Sequence, residues 1–143
     1  MNSKKGPPLG KLRSIAIVYM FILVAAASLN YIPGLTDTEG RAFGVFALDI
    51  FDDLLHVASA LWAGTAAVTS SRAARIFLRY FGLLYLTDGL LGLALGSGYL
   101  DLGIVKYGIV DLPVTFKILA NLPHIGGGLF AVYASRRFGG EAS

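Results

Sequence analysis

Apolar residues run through this chain in four long stretches, at about 14–32, 48–69, 78–98 and 116–135. The first is uncharged for 19 residues. A run of that length spans a bilayer as a helix. The other three carry a few polar residues, but none alternates strictly enough for a barrel strand. A lone strand would leave its backbone unsatisfied in lipid, so the expected element is helix in every case. The pattern predicts an all-α membrane protein, a four transmembrane helix bundle over 14–138. A flexible basic tail (1–13) precedes it and a short C-terminal tail (139–143) follows.

Polar punctuation supports the same layout. Pro33 and Gly34 open a loop over 33–47. The inner connection near Ser70 and Arg75 is short and makes its flanking helices antiparallel neighbours. The segment 98–113 is longer and partly apolar, and the pattern leaves open whether it is helix or short strand. Asp52 or Asp53 is the expected cap of the second span, and Asn121 that of the fourth. Pro123 then falls in a first helical turn, where its missing N–H is harmless.

Charge sets the orientation. Lys4, Lys5, Lys11, Arg13, Arg72, Arg75, Arg79, Arg136 and Arg137 fall on one side of a four-span layout, nine of the twelve basic residues. Arg41, Lys106 and Lys117 fall on the other, with Asp37, Glu39, Asp49, Asp52, Asp53, Asp101 and Asp111. Positive loops stay in the cytoplasm. The reading is a multi-pass protein of the cytoplasmic membrane with both termini inside.

Composition narrows the chemistry. Apolar residues make up 55% and charged residues 15%, below the quarter or so usual in soluble domains. There is no cysteine, which removes disulfides, thiolate catalysis and Cys-ligated metals. The net charge of +3 comes with no nucleic-acid-binding motif. No phosphate loop and no Ser/His/Asp set with assignable roles is present, so enzymatic activity is not expected.

The candidate chemistry sits in a few polar residues. Asp53 and Asn121 each stand three residues ahead of a histidine, His56 or His124, on the same helix face. The two polar-x-x-His elements open the second and fourth spans, as two related helical hairpins would place them. Both histidines then lie at similar depth. They are candidate axial ligands of a b-type haem, or, with Asp53, of a metal ion. The competing reading has them hydrogen-bonded to Asp53, Asn121 or backbone carbonyls. Asp88 stands near the middle of the third span, three residues after Tyr85. A carboxyl there needs a partner, water or a proton. It is either a proton or ion relay site or a group bonded to Tyr85, Thr87, Thr65 or Ser28. Gly82, Gly89, Gly92 and Gly96 lay a small-residue seam along the third span, and Gly126, Gly127 and Gly128 offer another.

Several stretches resemble a known family. They are LNYIPG at 29–34, FALDIFDDLLH at 46–56, the basic segment around Ala74 and Arg75, YFGLLY at 80–85, and NLPHIGGGL at 121–129. Together they resemble uncharacterised four-span bacterial and actinobacterial membrane proteins grouped as a domain of unknown function. The resemblance implies a four-span fold with His56 and His124 at family positions, and it brings no activity. The chain departs from that pattern at Asp88 and Asp52.

Three functions follow as expectations. The first is a structural or accessory membrane protein acting through helix contacts, as a homo-oligomer or inside a larger membrane complex. The second is a haem- or metal-binding protein using His56 and His124. The third is a small transporter or proton-conducting protein using Asp88.

Overall fold

A computed structural model describes residues 9–142. The protein is all-α. Helix α1 covers Lys11–Ser28 and continues as a 3-10 turn over Leu29–Tyr31. Helix α2 covers Ile50–Thr69, α3 Ser71–Leu95, the short α4 Gly103–Tyr107, and α5 Val114–Arg137.

The boundaries follow from local chemistry. Asp49, not Asp52 or Asp53, is the N-cap of α2. Its carboxylate accepts from the amides of Phe51 and Asp52, and the Asp52 side chain reaches back to the Asp49 amide. That reciprocal pair satisfies donors the helix start would leave open. Ser70 alone separates α2 from α3, and its hydroxyl caps α3 by accepting from the Ala73 amide. The expected loop at 70–77 is therefore one residue long, and Arg72, Arg75 and Arg79 stand on the first turns of α3. Helix α5 begins at Val114 behind Pro113. This places Asn121 and Pro123 inside the helix, not at its start. Asn121 donates to the Lys117 carbonyl. Pro123 has no N–H to give the Leu119 carbonyl, so the ladder is interrupted beside His124.

The four long helices pack as antiparallel neighbours. Arg13 donates to the Ala67 and Val68 carbonyls, joining the start of α1 to the end of α2. Gly82, Gly89 and Gly92 of α3 meet 128–132, 124–125 and Asn121 of α5 in turn. A Cβ at Gly82 would stand 2.8 Å from the Gly128 carbonyl oxygen and 2.9 Å from Ala131 Cβ. Such an approach exists only without a side chain. Gly96 leaves the expected seam. It ends α3 in the left-handed region, φ 81°, which glycine adopts at no steric cost. Of the second glycine group, Gly128 is packed on α3, whereas Gly126 and Gly127 face open space.

The core is aromatic and small-residue. Phe77 and Leu78 are fully buried among Leu12, Ala16, Ala63, Ala74, Ala131 and Ala134. Tyr19, Trp62 and Phe81 surround Phe77 with ring centroids 5.0–6.3 Å apart, a spacing that favours edge-to-face and offset pairs. Trp62 is 38% exposed and meets Phe77 edge-on.

Outside the core the surface is strongly apolar. Phe21 is 64% exposed, Leu61 67%, Leu90 50% and Leu122 57%, one on each long helix. Two segments are long and apolar enough to cross a membrane by length and composition, 11–31 and 71–95. Helices α2 and α5 have the length but carry more polar side chains, several of which turn into the bundle. The segment 98–113, undecided between helix and strand, contains α4 and no strand.

Candidate functional site

The α3–α5 seam creates the most polar point of the interior. A side chain at position 89 would meet His124 Cβ and the Ile125 backbone nitrogen at 3.0 Å. Glycine there lets α5 approach until His124 Nδ1 lies 2.8 Å from Asp88 Oδ2. Asp88 is 3% exposed. Its other oxygen, Oδ1, accepts from the backbone amides of Tyr99 at 2.6 Å and Leu100 at 2.9 Å. The carboxylate thus has three hydrogen-bond partners, His124 and the two loop amides.

The loop after α3 is shaped to reach that carboxylate. A Cβ at Gly98 would stand 2.6 Å from Asp88 Oδ1, so only glycine lets the chain close over it. Tyr99 then folds back along α3, its hydroxyl against the Leu84 carbonyl at 3.0 Å and Thr87 Oγ1 at 2.7 Å. Ser97 Oγ donates to the Gly108 carbonyl. The Val110 amide donates to the Leu95 carbonyl at 2.9 Å. Asp88 is thus the anchor of the α3–α4 connection. It stands five residues past the midpoint of α3, Leu83, and seven before its end at Leu95. None of its expected partners, Tyr85, Thr87, Thr65 and Ser28, bonds to it.

The two histidines are neighbours across α2 and α5. The His56 and His124 ring centroids are 6.5 Å apart at 65°. Tyr85 meets His124 edge-on at 4.9 Å, and its hydroxyl lies 3.2 Å from Ser59 Oγ. The expected tie of the histidines to Asp53 and Asn121 does not form. His124 is held by Asp88, and His56 Nδ1 is buried without a hydrogen-bond partner. Asp53 instead accepts from the Tyr31 hydroxyl at 2.7 Å through Oδ2, while its Oδ1 is also buried and unpaired. Among the described residues, no three His, Asp or Glu side chains are grouped to hold a metal ion. The set His56, His124 and Asp53 is therefore not assembled as a metal centre.

Two polar clusters close the end of the bundle near Asp88. Lys106 pairs with Asp49 and lies over the Phe51 ring at 4.5 Å and the Tyr107 ring at 5.0 Å. The Asp49 carboxylate raises the Lys106 pKa above the usual lysine range. In the 33–47 loop, Asp37 Oδ1 accepts from the Arg41 amide at 2.8 Å and the Glu39 amide at 2.9 Å. These backbone donors, the Arg41 amide foremost, hold the Asp37 carboxyl below its ordinary value. At the opposite end, Arg75 donates to the Ser135 carbonyl at 3.2 Å. Lys11 and Arg137 each lie over the Phe138 ring, 5.0 Å and 5.6 Å from its centroid.

Sequence reasoning marked Asp88, His124 and His56 but missed Gly98, Tyr99 and Ser59. The signal for Gly98 was present in the Gly-Ser-Gly run that ends α3, since a buried carboxylate one to three turns before a glycine turn invites backbone donors.

Fold and site define an all-helical protein with closely packed helices, an apolar outer surface and a buried carboxylate paired with a half-buried imidazole. Comparison with protein-family models, curated proteins and solved structures finds no match to this chain.

Proposed function

We propose that the chain is a small integral membrane protein of structural or accessory type, a four-span bundle with both ends on the cytoplasmic side, acting through helix–helix contacts. One observation carries the reading: an apolar girdle lies between two ends of opposite charge. Val18, Phe21, Leu61, Leu90, Leu122 and Phe130 are half exposed or more. A water-soluble monomer rarely shows contiguous apolar patches larger than a few hundred Å². One end of the bundle holds Lys11, Arg13, Arg72, Arg75, Arg79, Arg136 and Arg137, and the other holds the loops with Asp37, Glu39, Asp49, Asp101 and Asp111. Positive charge on the cytoplasmic side orients the bundle. The polar residues of α2 and α5 do not oppose a span, because Asp53 and His56 are buried and His124 is paired inside the bundle. Asp88 already holds three hydrogen bonds, which supports an anchoring role over a relay.

The absence of cysteine makes the topology directly testable. Single cysteines replace Glu39 in the acidic-end loop and Ser143 at the C-terminus, and intact cells are treated with a membrane-impermeant maleimide. Labelling of E39C in intact cells, and of S143C only after permeabilisation, is expected. The reverse pattern overturns the orientation, and recovery in the soluble fraction overturns the membrane reading. For the accessory role, mild-detergent extracts should elute as a defined oligomer or with a larger partner. A monomer without a native partner overturns it.

A further inference from the structure

Buried polar atoms in folded proteins almost always have hydrogen-bond partners. Among the described residues, three buried side-chain atoms have none: Asn30 Oδ1, Asp53 Oδ1 and His56 Nδ1. They belong to the acidic end of the bundle, where α1 finishes and α2 begins. Asp53 and His56 are each 7% exposed. They stand three residues apart on α2, and such pairs are neighbours on one helix face. Tyr31 ties the end of α1 to that face, since its hydroxyl donates to Asp53 Oδ2 at 2.7 Å. Asn30, the residue before it, is fixed by its amide, which donates to the Leu48 carbonyl at 2.9 Å.

The three atoms share a polarity. Amide and carboxylate oxygens only accept, and an imidazole Nδ1 accepts when its hydrogen is on Nε2. Among the described residues no ion pair reaches Asp53 either; the pairs are made to Asp37, Glu39, Asp49 and Asp88. Asp101 bears on His56 from the α3–α4 connection and adds negative charge. One water cannot donate to three acceptors at once, and it leaves the carboxylate unneutralised. An ammonium group is all donor and carries the missing positive charge. A buried carboxylate is tolerated when it is paired and hydrogen-bonded.

We propose that Asn30, Asp53 and His56 bind an ammonium group, its N–H bonds directed at Asp53 Oδ1, Asn30 Oδ1 and His56 Nδ1. Asp53 provides the charge. The imidazole nitrogen selects an N–H donor, whereas hard metal cations take oxygen ligands. The class recognised is the ammonium ion or the primary amine of a small ligand. The site lies inside the bundle and stands whether or not the helices cross a bilayer.

The full-length protein, in mild detergent free of ammonium, is melted with ammonium, methylammonium, sodium or choline chloride at equal ionic strength. A ligand that binds only the folded state raises the melting temperature as its concentration rises. Ammonium should do so, and sodium and choline should not. A matching rise with methylammonium assigns the site to an amine-bearing ligand, and its failure assigns the site to the free ion. Asp53→Asn removes the charge and should abolish the rise. His56→Phe leaves the Tyr31–Asp53 bond in place and should abolish it too, which separates loss of the ligand from loss of the fold. Nuclear magnetic resonance of the parent gives a readout that needs no variant. His56 should carry its hydrogen on Nε2, and isotope-labelled ammonium should show a slowly exchanging bound signal. An equal rise with sodium, or none with ammonium, overturns the site and leaves a bridging water there. A hydrogen on Nδ1, donated to the Asp52 carbonyl that faces the ring, overturns it as well.

Discussion

His124 Nδ1 and Asp88 Oδ2 meet at 2.8 Å across the seam between α5 and α3. The contact joins a helix pair to a loop, because the same carboxylate holds the Tyr99 and Leu100 amides through its other oxygen. Removing the carboxyl in Asp88→Ala strands an imidazole and two backbone donors in a site only 3% exposed. Leaving a buried hydrogen-bonding group without its partner costs about 1–3 kcal/mol. Thermal unfolding in detergent should register a loss of that order, and limited proteolysis should open first near 97–102. Asp88→Asn keeps an acceptor oxygen and should fall between the two. Unchanged melting of Asp88→Ala would remove the anchor role.

The close approach of α3 and α5 depends on the absence of side chains. Gly82→Leu places carbon against the Gly128 carbonyl and Ala131. Overpacking of a tight contact costs about 1–3 kcal/mol, and here the obstacle is backbone that cannot rotate away. Gly126→Leu meets nothing and should melt with the parent. If both variants melt alike, the seam is looser than its geometry implies.

The 33–47 loop should loosen in acid. Asp37 has its carboxyl pKa lowered in the folded loop, chiefly by the Arg41 amide. A group with a depressed folded pKa stabilises fully above its unfolded value, about 3.9 for Asp. That contribution is lost as pH falls through the lower folded value. Amide exchange at Glu39 and Arg41 should therefore be slow above about pH 5, relative to Asp37→Asn, and the difference should vanish in strong acid. Identical exchange in both proteins across the range would remove Asp37 as the clasp.

The neighbouring imidazoles allow a direct test of the haem alternative. With His124 held by Asp88 and His56 6.5 Å away between ring centroids, the accessory reading expects no Soret band after expression with haem supplied. A Soret band that disappears in both His56→Ala and His124→Ala would replace that reading with a cofactor-binding one.

Much of the architecture was legible in the pattern of residues. The helical runs were readable because apolar stretches of 19 residues or so have few other stable uses. The basic residues at three separate chain positions gather at one end of the bundle, because antiparallel neighbours bring alternate connections together. The nearness of His56 and His124 goes with their helices running the same way. The caps were misplaced by a few residues, since Asp49, Asp52 and Asp53 compete within five positions and only backbone geometry selects Asp49.

What the sequence determined by itself was therefore the four long helices, their order and the segregation of charge, because these depend on the local free energy of placing each run in water or in an apolar medium. Tertiary structure alone decided the partners. Asp88 found His124, 36 residues away, and two loop amides, because Gly89 and Gly98 left room for them. Such contacts depend on the fit of surfaces distant in the chain, and no local pattern records that fit.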